Sequence, residues 1–420
     1  MFGGPGIGDV RSRLVRLIPS TPDGESQALK TFFNHRLPPN PSSARLEWLE
    51  IVEGTHPLWS AISSAKKELI RSFLNTLNME ITKRARPSSV FNFQSASVGN
   101  LFLTGARLFT GSFEAAIYLL GSITGVNSAE VIPAINSNFS HHICAGLRNG
   151  TSIVGQNSIS HPTPPPPTPP SHASTAPTPP DVDLMTPTSE RRTVGMFDEM
   201  WSHDLVEDAN LPGSLPSLRK QNIDFHKNDN EELPARIWRV WYINPYGQEI
   251  RPSPNPRVID ALSQARAVVY SIGSLYTSIV PCLILKGVGE KIRDPGIKTK
   301  ILILNGSLDR ETGPSSQPFT AEDFVCAIGN ACASSSGLLR IKEEELQSYV
   351  SHIIHLEGEG TPKVDRDSLK KKGIETIRVY GKKNPKGGLY YDGKALEQAL
   401  EAVLGGVERV TPSRRNTVQH

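Results

Sequence analysis

Apolar runs and amphipathic segments alternate through the second half of the chain, and few architectures accommodate such an order. The apolar runs are RIWRVWYIN, AVVYSI, KILILN, HIIHL and ETIRVY, which begin at residues 236, 267, 300, 352 and 375. Most of them are continuously apolar, which is typical of parallel strands covered on both faces. Predicted helices lie around residues 256–265, 275–285, 321–334 and 393–404. The alternation predicts an α/β core with a mostly parallel, doubly wound sheet.

The first part of the chain has mainly helical patterns. Apolar residues at helical spacing predict helices from Val10 to Ile18, from about Ile62 to Leu77, from about Asn100, and from a cap at Ser112 to a stop at Gly125. Strands are predicted next in AEVIPAI (129–135) and in HHICAGLRNGTSIVG (141–155), where an Asn-Gly pair indicates a hairpin turn. This hairpin is expected to be an antiparallel addition to the parallel core.

A proline-rich segment divides these two parts. Ten of the nineteen residues from Pro162 to Pro180 are proline, and the polar composition continues to about Leu233. Such a sequence cannot bury a core, so residues 161–233 are expected to be a disordered insertion between two parts of one domain, residues 1–160 and 234–410. The segment is either a solvated surface insertion, which is the commoner use of such tracts, or a ligand for an SH3-like or WW-like domain.

Charge and cysteine content argue against several classes of protein. The 45 basic and 42 acidic residues leave a formal charge of +3, which predicts neither nucleic-acid binding nor a membrane-surface role. The four cysteines form no CxxC pair, so buried reduced thiols are expected rather than a metal site or disulfides. No apolar stretch reaches the ~18 residues that span a bilayer, and the start of the chain does not resemble a signal peptide. A cytoplasmic protein is therefore predicted.

The turn after the predicted strand AVVYSI concentrates hydroxyl groups in the stretch SIGSLYTS. Its glycine, Gly273, lets the backbone approach a ligand closely, and Ser274 is placed to cap the next helix. Thr277 and Ser278 add hydroxyl donors for a phosphate or a sugar. Strand-to-helix turns also use glycine and serine for capping alone, and the local pattern by itself favours that structural role.

Other turns carry further candidates for ligand contact. After the strand KILILN a long polar loop begins, in which Asn305, Glu311 and Thr312 are candidate contacts to a ribose or a base. The stretch SVGN (97–100) places small residues at a helix start, and Asp9 either caps the first helix or binds a metal ion. Free backbone N–H groups at such helix starts suit an anionic ligand.

Taken in order, these turns resemble one family, the CofD-like proteins, which include 2-phospho-L-lactate transferase and the YvcK-like gluconeogenesis factors. The segments that carry the resemblance are GDVRSRLVRL (8–17), SVGNLFLTGARLFTGSFEAAIYLLG (97–121), VIPA (131–134), GSLYTSIVPCLI (273–284) and, more loosely, LNGSLDRETG (304–313). The sequence GSLYTSIVP, and the Gly-Asn pair before an apolar helix, are closer to the YvcK-like branch. The resemblance covers most of the chain outside the proline-rich segment.

The resemblance implies a Rossmann-like three-layer domain that binds a phosphate-bearing or nucleotide-linked ligand across the carboxyl ends of the strands. The candidate contacts are Gly273, Ser274, Tyr276 and Thr277 in the phosphate-side turn, Gly99 and Asn100 at a second helix start, Asp9 and Arg11 in the GDxR element, and Asn305. In the transferases this chemistry moves a phospholactyl group from a guanosine diphosphate donor to a deazaflavin alcohol, with magnesium. YvcK-like relatives are associated instead with nucleotide-sugar binding and with regulation of carbon or cell-wall metabolism.

The chain departs from the family pattern at its start and near the hydroxyl-rich turn. Because it begins MFGGPGIGD, it is expected to lack the family's first strand, its glycine-rich loop and the carboxylate that would hold magnesium. Ser12 replaces the usual Asn, and Ser271-Ile272 replaces the usual Gly-Pro. Three hypotheses follow: a transferase of a phosphate-containing group, a non-catalytic nucleotide-sugar-binding regulator, or an interaction protein. The expected partner is a nucleotide or nucleotide sugar, and a homodimer is a further expectation.

Overall fold

A computed structural model describes residues 2–161 and 232–405 with short gaps, together with Leu215 and Leu218. The gaps are residues 3, 21, 23, 87–90, 127–130, 339 and 384–387. Most of the proline-rich segment predicted to be a disordered insertion lies outside the described residues. The expected division into residues 1–160, 161–233 and 234–410 remains a prediction.

Helices dominate the first part of the chain, and strands alternate with helices in the second. The helices are α1 (Gly8–Leu17), α2 (Glu25–Asn34), α3 (Pro41–Glu53), α4 (Ser64–Arg84), α5 (Val98–Thr110), α6 (Phe113–Thr124), α7 (Gln156–Ser160), α8 (Pro256–Gln264), α9 (Val280–Leu283), α10 (Val288–Arg293), α11 (Ala321–Ser335), α12 (Arg366–Lys371) and α13 (Gly393–Gly405). The strands are β1 (His142–Leu147), β2 (Ser152–Val154), β3 (Ile237–Ile243), β4 (Glu249–Ile250), β5 (Ala267–Tyr270), β6 (Thr299–Ile303), β7 (His352–His355), β8 (Glu375–Arg378), β9 (Gly381–Lys383) and β10 (Leu389–Tyr391).

A parallel sheet with the strand order β5-β6-β7-β8 forms the centre of the second part. Alternate side chains of β6 enter different clusters, because successive residues of a strand point to opposite faces. Ile301 and Ile303 pack with Val403 of α13, whereas Leu302 packs in a cluster that contains Ile328 of α11. Helices therefore cover both faces of the sheet, and the prediction of an α/β, Rossmann-like three-layer fold is confirmed.

Antiparallel strands form a second sheet, in the order β2-β1-β3-β4. The predicted hairpin after Asn149 joins β1 to β2, and β3 pairs with β1 from beyond the proline-rich segment. A further hairpin, β9 and β10, follows the parallel sheet. This hairpin packs at the carboxyl ends of β6 and β7, where the hydroxyl of Tyr391 donates to the carbonyls of Leu304 at 2.7 Å and Ile354 at 3.1 Å.

Two local expectations were wrong. Of the strand predicted over 129–135, the described residues Val131–Ile135 form no strand, and Pro133 at their centre has no N–H group to donate to a neighbouring strand. The four cysteines are free thiols, as predicted, but only Cys144 and Cys332 are buried, whereas Cys282 is exposed and Cys326 is half-buried. None of the described helices combines the length and apolar character that a bilayer crossing requires.

The helices of the first part enclose their own apolar core, which includes the aromatic side chains Phe32, Phe33, Trp48, Phe73 and Phe102. Helices α4 and α5 approach very closely at Gly105, where an added methyl group would lie 2.1 Å from the carbonyl oxygen of Phe73. Only glycine permits this approach. Because α5 begins with the predicted site residues Gly99 and Asn100, the contact at Gly105 also fixes the position of that helix start.

The first prediction concerns this contact. Gly105→Ala should lower the free energy of unfolding by about 1–3 kcal/mol, because the new methyl group would force two helices apart. Gly121→Ala is the matched control, since a methyl group at that buried helical position meets nothing closer than 3.6 Å. It should leave stability unchanged or raise it by up to about 1 kcal/mol. Thermal and urea unfolding followed by circular dichroism measures both, and equal effects would contradict the prediction.

Candidate functional site

The turn after β5 contains a short π-helix, Leu275–Ile279, rather than a regular α-helical start. The backbone N–H groups of Tyr276 and Thr277 donate to one carboxylate oxygen of Glu311, Oε2, at 2.9 and 3.0 Å. Hydroxyl groups bond its other oxygen: the Ser160 Oγ lies 2.8 Å from Oε1, and the Thr277 Oγ1 also donates to it. Glu311 is only 2 % exposed, so a protein carboxylate takes the position in which the sequence suggested an external anion.

The side chains of this turn divide between core and surface. Tyr276 is buried, and its hydroxyl donates to the carbonyl of Ile237 at 3.2 Å. Thr277 is buried in the Glu311 contact. Gly273 and Ser274 are half-buried, and their N–H groups have no acceptor among the described residues. The part of the turn that is open to an anion is therefore Gly273 and Ser274, which directly precede the π-helix.

The second predicted helix start, at the beginning of α5, contacts α1 directly. The Arg11 guanidinium donates to the Asn100 Oδ1 at 3.3 Å and to the Asn34 Oδ1 at 2.8 Å. Gly99 is required for this contact, because a methyl group there would lie 2.9 Å from the Arg11 side chain and 2.5 Å from a backbone carbonyl of α2. Burial, with help from nearby arginines, lowers the pKa of Arg11, but a guanidinium stays charged in proteins.

Helix α1 brings the two turns together. While Arg11 bonds the start of α5, Arg13 reaches the hydroxyl-rich turn, where a methyl group at Gly273 would lie 3.9 Å from its Nη2. Arg13 is exposed and has no ion pair or hydrogen bond with the described residues. The exposed Asp9 carboxylate acts electrostatically on Cys282, which lies beyond the same turn. The GDVRSR stretch thus places two guanidinium groups and one carboxylate between two helix starts.

Asn305 follows β6 at the same edge of the parallel sheet. The register pairs Tyr270 of β5 with Leu302 of β6, so Gly273 and Asn305 leave the sheet three residues later at one edge. Ligands of open α/β sheets bind at this carboxyl edge. The neighbouring candidates have structural contacts instead, since both Glu311 oxygens are bonded and the hydroxyl of the buried Thr312 donates to the Asp309 carbonyl at 2.6 Å.

A cavity of about 400 Å³ opens beside the loop after β6. Asp309 and Arg310 line it, with Thr312, Gly313, Glu232 and Phe319 among the other wall residues. The Asp309 Oδ1 is buried and has no hydrogen-bond partner among the described residues. Burial, and secondarily the nearby Glu311 carboxylate, raises the pKa of Asp309 to about 6. A carboxyl group in this state is an acid or acceptor poised near neutral pH.

Magnesium, which the resemblance implied, has one candidate ligand in this arrangement. The described residues contain no cluster of three His, Cys, Asp or Glu side chains that could hold a metal ion. Protein sites for Mg²⁺ commonly use only one or two carboxylates and complete the shell with ligand phosphates and water. The exposed carboxylate of Asp9, about one turn of α1 before Arg13, fits that smaller requirement when a phosphate is present.

Reasoning from the sequence did not identify four residues of this region as functional candidates. Arg13 looked like an ordinary charged residue of α1, Ser160 belongs to a distant short helix, and Asp309 stood within a polar loop. Ser97, at the start of α5, is 2 % exposed and its Oγ has no hydrogen-bond partner in the described part of the chain. Only the helical spacing of Arg13 relative to Asp9, four residues apart, could have indicated that both lie on one face of α1.

The fold and the site define an α/β protein with a Rossmann-like parallel sheet, in which two arginines of α1 lie beside the turn after β5 and the start of α5. The family model for the 2-phospho-L-lactate transferase CofD matches residues 1–380. The chain therefore belongs to the CofD family, as its motifs indicated.

Relatives support this assignment. An uncharacterized protein of Saccharomyces cerevisiae, YNL011C, is 39 % identical over 385 residues, covering 90 % of this chain and 84 % of the relative. The Gluconeogenesis factor of Bacillus subtilis is 29 % identical over 146 residues, covering 32 % of this chain and 44 % of that protein. A crystal structure of a UPF0052 family protein from Bacillus halodurans, at 18 % identity, matches with a TM-score of 0.53 over 95 % of this chain and 83 % of the other, which supports the fold.

The second prediction concerns Glu311. Glu311→Ala should lower the free energy of unfolding by about 3 kcal/mol or more, because it leaves two N–H groups and two hydroxyls without their acceptor. Glu311→Gln should cost clearly less, since its amide oxygen can still accept from the N–H groups. Glu344→Ala, at an exposed glutamate, is the control and should change stability by less than about 0.5 kcal/mol. Urea unfolding measures these differences, and a Glu311→Ala variant that is as stable as the wild type would contradict the prediction.

The third prediction is a pH dependence. A carboxyl group whose pKa is raised in the folded state stabilises the fold below its unfolded pKa, and this contribution is lost as the pH rises through the folded value. The free energy of unfolding of the wild type should therefore fall by up to about 3 kcal/mol between pH 4 and pH 7.5 because of Asp309. Asp309→Asn removes this loss, so its melting temperature should exceed that of the wild type at pH 7.5 and match it near pH 4. Asp260→Asn, at an exposed aspartate of α8, should show no such difference.

Proposed function

We propose that this protein binds a nucleotide-linked phosphate ligand in the crevice between α1, the start of α5 and the turn after β5. The bridging position of α1 carries the proposal, because it directs Arg11 to Asn100 and Arg13 to Gly273. Guanidinium groups and free N–H groups at a glycine turn are the donors that recognise phosphate. Asn305 leaves the sheet at the same edge and extends the crevice toward β6.

Transfer of a phosphate-containing group is the reaction that we propose for this site, by analogy with the family's name. Within the chain, Arg13 and the N–H groups of Gly273 and Ser274 would hold the phosphates and offset charge that develops during transfer. Arg11 would keep α1 aligned through Asn34 and Asn100. Magnesium, held by Asp9 and the ligand, would supply further neutralisation of the phosphate charge.

A second candidate is a non-catalytic regulator that binds a nucleotide or nucleotide sugar. It is favoured by the similarity to the Gluconeogenesis factor of Bacillus subtilis. The two functions share the same ligand contacts and differ in turnover. Incubation with lactyl diphosphoguanosine, the deazaflavin alcohol and magnesium distinguishes them: product formation supports the transferase, and saturable nucleotide binding without product supports the regulator.

The fourth prediction tests the phosphate contact. Isothermal titration with GDP, UDP, ADP and inorganic pyrophosphate, with magnesium or with EDTA, should show saturable binding of at least one nucleotide. Arg13→Ala should weaken that binding about 10- to 100-fold, as expected for a charge-assisted hydrogen bond. Arg16→Ala removes the same charge one turn further along α1 and serves as the control, with a change below about threefold. Absence of binding by the wild type to the whole panel would overturn the proposed function.

A further inference from the structure

A second cavity, of about 520 Å³, lies between the antiparallel sheet and the ends of α9 and α11. Its wall includes Trp241 of β3, Ile250 of β4 and residues 334–337 at the end of α11. Helix α11 joins β6 to β7, and a helix that joins two parallel strands runs back from their carboxyl edge to their amino edge. The cavity therefore lies toward the amino edge of the parallel sheet, and none of the residues that line it belongs to the proposed phosphate crevice.

The charged side chains of this wall differ in whether they have partners. Arg239 forms an ion pair with Glu249, and the Glu290 carboxylate accepts a hydrogen bond at 3.0 Å from a serine hydroxyl at the end of α11. Arg251 and Lys286 are both exposed, and neither has an ion pair or hydrogen bond with the described residues. Both carboxylates of the wall are thus bonded, whereas two of its three cations are available to a ligand.

The two available cations belong to different elements and line one cavity. An added methyl group at Gly337 would lie 3.8 Å from the Arg251 Nη1, so this guanidinium lies beside the last turn of α11. The carbonyl groups at a helix end carry partial negative charge, which attracts a guanidinium even where no hydrogen bond forms. Lys286 enters the wall from the segment between α9 and α10. A ligand in the cavity therefore meets one guanidinium and one ammonium group.

We propose that this cavity binds a small phosphate monoester that carries hydroxyl groups, such as a sugar phosphate, with Arg251 and Lys286 contacting its phosphate. A phosphate monoester carries nearly two negative charges at neutral pH and has three acceptor oxygens, so both cations can contact it at once. Ser253 and Ser334 also line the cavity, and their hydroxyls have no hydrogen-bond partner among the described residues. These hydroxyls can bond those of the ligand, and a volume of about 520 Å³ lies within the range of small-molecule sites.

The test is isothermal titration of the full chain with glucose 6-phosphate, glycerol 3-phosphate and inorganic phosphate, with glucose as the neutral probe. At least one of the two esters should bind saturably, and glucose should not. Arg251→Ala and Lys286→Ala should each weaken ester binding at least tenfold, as expected for the loss of a charge-assisted hydrogen bond. Arg45→Ala and Lys370→Ala, at exposed cations that do not line the cavity, are the matched controls and should change it less than twofold.

Two further variants identify the contacts and the site. The double variant Ser253→Ala, Ser334→Ala should weaken ester binding about three- to tenfold and leave inorganic phosphate unchanged. Equal effects on ester and phosphate would overturn the assignment of a hydroxylated ligand. Arg13→Ala should leave ester affinity unchanged, and a loss with Arg13→Ala but not with Arg251→Ala would place the ester in the crevice and overturn the inference. A wild type that binds neither ester would also overturn it, while the proposed function stands or falls on the separate titration with nucleotides.

Discussion

The buried carboxylate of Glu311 is the interaction on which the arrangement of the crevice depends. It accepts from two backbone N–H groups of the turn after β5 and from the hydroxyls of Thr277 and Ser160. Three separate parts of the chain, α7, the β5 turn and the loop after β6, are joined at this one side chain. Because every donor is satisfied, the contact stabilises a π-helical turn that would otherwise leave buried N–H groups unpaired.

This internal carboxylate also determines where an external anion can bind. A helix start normally offers its first N–H groups to an anion, yet here those of Tyr276 and Thr277 are already bonded to Glu311. The remaining positive potential lies at Gly273 and Ser274, next to the guanidinium of Arg13. The hydrogen bonds of Glu311 thus hold the turn in place, and the arginines of α1 supply the positive charge that a phosphate requires.

The sequence predicted elements well where one segment determines its own structure and poorly where two distant segments must meet. Continuous apolar runs were sufficient for β6 and β7, and helical spacing was sufficient for α5. Val131–Ile135 is largely apolar, but Pro133 at its centre cannot donate to a strand ladder, so the apolar pattern alone was misleading. In the site, the motif order indicated Asn100 and Arg11, which are in contact, but the role of Arg13 depends on a packing geometry that no local pattern encodes.

Asp309 shows why such a residue escapes sequence reasoning and why it is informative once the structure is known. In a polar loop, an aspartate is ordinarily a solvated turn residue, and nothing in LNGSLDRETG distinguishes it. The fold buries one of its oxygens beside a second carboxylate, which raises its pKa to about 6 and makes its ionised form costly. A chain that needed only a stable loop would gain stability by an amide at this position.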